Sequence, residues 1–121
     1  MILVKRAYEE PSSKDGLRFL VDRLWPRGIT KESLRIEGWL KGVSPSDELR
    51  KRFHGYPSQW QEFCRHYFAE LEKYPYAWAP IVAAAKKGTV TLVYAARDTE
   101  HNNAVALREF LLHDKSLGLK R

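Results

Sequence analysis

Apolar residues along this chain fall into two rhythms. Ile2-Leu3-Val4 is a short apolar run that stops at Lys5-Arg6 and predicts a buried strand. Leu17 to Asp22 is a second, mostly continuous run, as expected of a strand covered on both faces. Thr89 to Ala95 (TVTLVYA) is the best strand pattern in the chain. Between these runs the rhythm changes to that of a helix. Trp60, Phe63, Cys64, Tyr67, Phe68 and Leu71 recur on one helical face. That helix is predicted to start at Tyr56-Pro57-Ser58 and to end before Pro75. Trp78 to Lys87 predicts a further helix, with Pro80 in its first turn and Gly88 at its end. Asp98-Thr99 can cap a last helix that turns Ala104, Leu107, Phe110 and Leu111 inward.

The remaining stretches are less regular. Glu9 to Gly16 is a polar loop rich in turn formers. Residues 29–40 read two ways: Thr30-Lys31-Glu32-Ser33 could open a helical turn, while Arg35 to Leu40 alternates like a short strand. Ser44-Pro45-Ser46 supplies a turn and an N-cap, with Asp47 and Glu48 in the favoured first turn of a helix reaching Phe53 and stopping at Gly55. Strands separated by helical blocks predict a small single α/β domain, with a mostly parallel sheet flanked by helices. The domain is expected over residues 1–115, followed by a loose tail at 116–121.

Composition narrows the class. With 121 residues and 44% hydrophobic content the chain can bury a proper core. Lys and Arg outnumber Asp and Glu by 21 to 15, a net charge of +6. That balance suits an anionic partner, a small molecule or a nucleic acid, or is simply a basic solvated surface. The single cysteine, Cys64, lies on the apolar stripe and reads as core, not as a nucleophile. No apolar run approaches a membrane span and no signal peptide is seen, so a cytoplasmic protein is expected, with no membrane partner. The GxGxxG, GxxxxGK[ST] and GxSxG patterns are absent. His54, His66, His101 and His113 lack zinc-site spacing, so no metal ligands are assigned and any cofactor is unknown.

In a parallel sheet, ligands gather beyond the carboxyl ends of the strands. Lys5, Arg6 and Tyr8 follow the first strand, and Asp22, Arg23, Trp25 and Arg27 the second. Tyr94, Arg97, Asp98, His101, Asn102 and Asn103 follow the last. Arg6, Arg23 and Arg27 could make bidentate contacts to a phosphate or carboxylate. Alternatively Arg23 pairs with Asp22 or Asp98, and Pro26-Arg27-Gly28 is only a turn. Trp25 and Tyr94 could stack on or line a ligand, or Trp25 could plug the core. Two adjacent asparagines are poor helix formers, so Asn102 or Asn103 should have a hydrogen-bonding task. Asp22, Asp98 and His101 are the plausible acid–base set; in a first helical turn a neutral His101 imidazole is favoured. The cluster Arg50-Lys51-Arg52-Phe53-His54 is a solvated helix face or a contact to nucleic acid.

Three segments together carry a resemblance. VDRLWPRG at 21–28, WLKGVSPSDELRKRFHG at 39–55 and LVYAARDTEHNNAVALREFL at 92–111 resemble the DUF488 family, in the branch of YeaO-like bacterial proteins. The resemblance spans nearly the whole chain, in the same motif order; Arg97 stands where a lysine is frequent. It implies a compact cytoplasmic α/β protein whose signature positions include Asp22, Arg23, Trp25, Arg27, Asp98, His101, Asn102 and Asn103. It implies no reaction. The expected function is binding of an anionic ligand, a nucleotide or phosphorylated metabolite, between VDRLWPRG and AARDTEHNN. An enzyme acting on such a ligand would need Asp98 or His101 in the cleft. The alternative is a non-enzymatic nucleic-acid-binding module, which would need a continuous basic stripe and steep salt dependence. Oligomeric state is left open.

Overall fold

The computed structural model describes residues 1–53 and 57–113. The predicted stop at Gly55, the helix start at Tyr56, His54 and the predicted tail lie outside the described residues. Four strands, β1 (Ile2–Arg6), β2 (Leu17–Leu20), β3 (Gly38–Trp39) and β4 (Val90–Tyr94), form one sheet. Its order is β1-β4-β2-β3 and every pairing is parallel. The described helices are α1 (Lys31–Leu34), α2 (Asp47–Phe53), α3 (Trp60–Lys73), α4 (Pro75–Lys87) and α5 (Asn103–His113). The fold is the expected small α/β domain. Both readings of residues 29–40 hold, one after the other, as α1 and β3.

Side chains alternate between the faces of a strand. Ile2, Val4, Phe19, Val90, Leu92 and Tyr94 all face one side and join the main core. There they meet Tyr67 and Leu71 of α3, Trp78 and Ile81 of α4, and Leu107, Phe110 and Leu111 of α5. Two of the buried aromatics satisfy their polar ends: Trp78 Nε1 donates to the Leu71 carbonyl at 2.9 Å, and the Tyr67 hydroxyl donates to that of Val43. The predicted inward set Ala104, Leu107, Phe110 and Leu111 is buried throughout.

The opposite face is different. Leu20 and Val93 pack with Ala7 and Leu34, and with Trp25, Ile29, Ile36 and Trp39 at the margin. Beside them the face is polar. Arg18 is only 4% exposed and donates to Asp15 at 2.7 Å and to the Leu34 carbonyl at 2.9 and 3.1 Å. Lys5 reaches the same carboxylate at 3.2 Å, and Thr91 Oγ1 donates to the Asp15 carbonyl. The segment read as a plain polar loop therefore buries a charge. Burial pushes the Asp15 carboxyl up, but the Ser12 N–H, Lys5 and Arg18 outweigh it and hold it below its usual range. Gly16 makes the close approach possible. At φ +66° a Cβ there would stand 2.0 Å from the Thr89 carbonyl oxygen.

Two helix boundaries differ from expectation. α4 begins at Pro75 and not at Trp78, because a proline in the first helical position sacrifices no bond. Pro80 thus falls beyond the first turn, where the carbonyl it leaves without a donor belongs to Tyr76, a residue 73% exposed to water. α5 begins at Asn103, and its cap is Asn102, whose Oδ1 accepts from the Val105 N–H at 2.9 Å. Asp98 caps the turn before it instead.

Candidate ligand cleft at the strand ends

The strap from Asp22 to Gly28 leaves β2 and crosses the end of the sheet. Three contacts hold it there. Asp22 Oδ2 accepts from the Ala95 N–H at 2.9 Å, Asn103 Nδ2 donates to the Val21 carbonyl at 3.0 Å, and the Tyr8 hydroxyl donates to the Arg27 carbonyl at 2.9 Å. The ends of β1, β2 and β4 and the approach to α5 are thereby tied together. Gly28 closes the strap at φ +79°, at the third position of a turn in which Ile29 N–H meets the Pro26 carbonyl.

Beyond these strand ends lies a cavity of about 760 Å³. Asp22, Arg23, Trp25 and Arg27 line it from the strap, and Asp98, His101, Asn102 and Asn103 from the opposite wall. Eight of the ten candidate residues thus share one cleft. The other two do not line it. Arg6 is spent on the chain itself, donating to the carbonyls of Ala96 at 2.9 Å and Ala95 at 3.2 Å. Tyr94 is 3% exposed and belongs to the main core, where burial raises its pKa. A tyrosine at a strand's end points to the face its register dictates, and this register points inward.

The remaining candidates have defined roles. Trp25 is half-buried: its Nε1 donates to the Ile29 carbonyl at 2.6 Å and its ring meets Trp39 edge-on at 5.4 Å. It separates the cleft from a second cavity of about 610 Å³, bounded also by Lys31, Ile36 and Trp39. Asn102 is buried and used twice, as the α5 cap and as a donor to the Asp98 carbonyl at 2.9 Å. Asp98 accepts from the N–H groups of His101 and Glu100, which hold its carboxyl below the usual range. Its other oxygen lies 3.1 Å from His101 Nδ1. His101 therefore precedes α5 in a turn instead of occupying the helix's first turn. Asp22 shifts the other way: burial pushes its carboxyl up, against the Ala95 N–H and the Asn103 amide.

Cations crowd the same space. Arg23 pairs with Asp47, and Arg50 of α2 pairs with the same Asp47 oxygen. Arg27 and Arg97 line the cleft, exposed, and neither forms an ion pair with a described residue. An aromatic wall completes the lining: Phe53 of α2 and Trp60 and Phe63 of α3. Sequence reasoning assigned Trp60 and Phe63 to the core. They do pack against the main core with Tyr67 and Leu71, but they are only half-buried, and their remaining surface lines the cleft. The sequence places Arg50 on a solvated helix face or in a contact to nucleic acid; in the structure it lines the cleft. Its signal was only a short basic run. Cys64 is half-buried, and burial together with Glu109 pushes its thiol up to about 11, which leaves it unreactive at neutral pH. Among the described residues no three His, Cys, Asp or Glu side chains converge as metal ligands. No described helix is long and apolar enough to cross a membrane.

Fold and site define a class: a parallel α/β protein with a basic and aromatic cleft at the carboxyl ends of its strands. Over residues 1–117 the chain matches the family described as "Inactive DUF488-N3 subclade". The chain belongs to the DUF488 family, as its motifs imply. It is 43% identical over 110 residues to the uncharacterized protein YeaO of Escherichia coli, an alignment covering 91% of this chain and 96% of that one. It is 38% identical over 110 residues to the uncharacterized protein Rv3073c of Mycobacterium tuberculosis, covering 91% and 92%. No solved structure matches it.

Proposed function

We propose that the protein binds, without turning over, a small anionic ligand carrying a phosphate in the cleft between the strap and the α5 approach. One observation carries this reading. Arg23 from the strap and Arg50 from α2 both line the cleft and converge on a single carboxylate, that of Asp47. Two guanidiniums from separate elements already share one oxyanion, and a phosphate in the cleft can draw both away from it. Arg27 and Arg97 add two cations with no ion-pair partner among the described residues. The carboxylate exchange costs the fold little, because all three groups are solvent-exposed.

The family's description as inactive supports binding over catalysis. A catalytic reading has one observation in its favour: Asp98 holds His101 by Nδ1 at the cleft, as an acid–base pair would be held. The two readings separate in solution. Isothermal titration with inorganic phosphate, ribose 5-phosphate and nucleoside monophosphates should show binding that the double variant Arg23→Ala/Arg50→Ala weakens by about tenfold or more. The ligand should be recovered unaltered. Normal affinity in the double variant would refute the cleft, and a product that disappears in His101→Ala would establish an enzyme.

A further inference from the structure

We infer that the ligand is a mononucleotide whose base lies on the aromatic wall of Phe53, Trp60, Phe63 and His101. The inference rests on the anion-binding reading above and adds the other half of the ligand. The four rings form a contiguous set. Trp60 stacks on Phe63 with centroids 5.5 Å apart and planes 22° apart, His101 meets Trp60 edge-on at 5.2 Å, and Phe53 meets Phe63 edge-on at 6.1 Å. All four line the cavity and all four are only half-buried.

The core does not need these rings to be wet. Trp60 and Phe63 pack against the main core on one side and line the cavity with the surface that remains. Leaving apolar ring surface in contact with water is unfavourable, and a planar ligand would cover it. Arg23, Arg27, Arg50 and Arg97 line the same cavity. A cleft lined by both π surface and guanidiniums matches a molecule that is flat at one end and anionic at the other. A sugar phosphate would leave the rings uncovered. An aliphatic acid would use neither their faces nor a second cation. The volume, about 760 Å³, is in the range of small-molecule sites.

The test compares AMP and UMP with ribose 5-phosphate and with a short single-stranded oligonucleotide, by titration calorimetry at low and high salt. Stacking one base predicts that AMP binds roughly tenfold or more tighter than ribose 5-phosphate. Trp60→Leu should remove that advantage while leaving ribose 5-phosphate binding in place; Phe53→Leu serves if the first variant does not fold. Equal affinity for AMP and ribose 5-phosphate, both lost in Arg23→Ala/Arg50→Ala, would overturn the base wall and leave the anion site standing. Binding of neither would overturn both. Binding of the oligonucleotide alone, erased by salt, would replace the mononucleotide with a nucleic-acid strand.

Discussion

The two faces of the sheet are covered by different chemistry. On one face long helices lay down an apolar stripe, and every strand residue that meets them is hydrophobic. On the other the cover is loops with short helical turns, the segments 7–16 and 22–37, and the strands answer with Arg18, Thr91 and Lys5 beside Leu20 and Val93. Helices satisfy their own backbone, so an apolar strand face suffices beneath them. Short helical turns leave the carbonyls at their ends without internal partners, such as those of Leu34 and Asp15, and these need donors. Arg18 supplies two such bonds and Thr91 a third. The polar face is therefore a consequence of what covers it. The same irregular cover leaves room at the strand ends, which is where the cleft opens.

This contrast can be broken from either side. The largest effect is expected at Asp15. Asp15→Ala leaves the Arg18 guanidinium buried without its carboxylate and should cost about 3–5 kcal/mol in urea denaturation. The pH dependence has a defined sign. Because the folded Asp15 carboxyl is held below its usual range, its contribution is full above the ordinary carboxylate range and is lost as pH falls through the lower folded value. The gap between wild type and Asp15→Ala should accordingly narrow in acid; a gap that widens there would contradict the buried ion pair. On the apolar face Leu107→Ala should cost about 2–5 kcal/mol, with no such pH dependence, since only packing is removed.

A smaller effect sharpens the comparison at the cleft. Burial pushes the Asp22 carboxyl above its usual range, so its charged form carries a cost that exists above the raised folded pKa and vanishes below the unfolded value. Asp22→Asn retains an acceptor for the Ala95 N–H. Its stability near neutral pH should equal or exceed that of wild type, by less than about 1 kcal/mol. A loss of several kcal/mol on thermal unfolding would mean that the carboxylate itself braces the strap.

Much of this molecule can be read along the chain. The apolar runs locate β1, β2 and β4, the 3.6-residue stripe locates α3, and Ser46 caps α2 as its position suggests, its Oγ accepting from the Leu49 N–H at 3.1 Å. The parallel arrangement followed from strands spaced by helical blocks, and with it the convergence of Asp22, Arg23, Arg27, Asp98 and His101 on one cleft. These properties are local: periodicity and capping depend on residues a few positions apart. What only the tertiary structure decided is where each element ends relative to the others. The same stripe on α3 buries Tyr67 completely and leaves Trp60 half-buried at the cleft, a difference that spacing along the helix does not show. Arg6 stands at a strand end like Arg23, yet the returning carbonyls of Ala95 and Ala96 consume it. Asp15 sits in a polar loop that becomes interior only when Arg18, Lys5 and Thr91 arrive from three different strands. Such outcomes depend on partners up to 90 residues away in sequence, and no pattern within either segment encodes that distance.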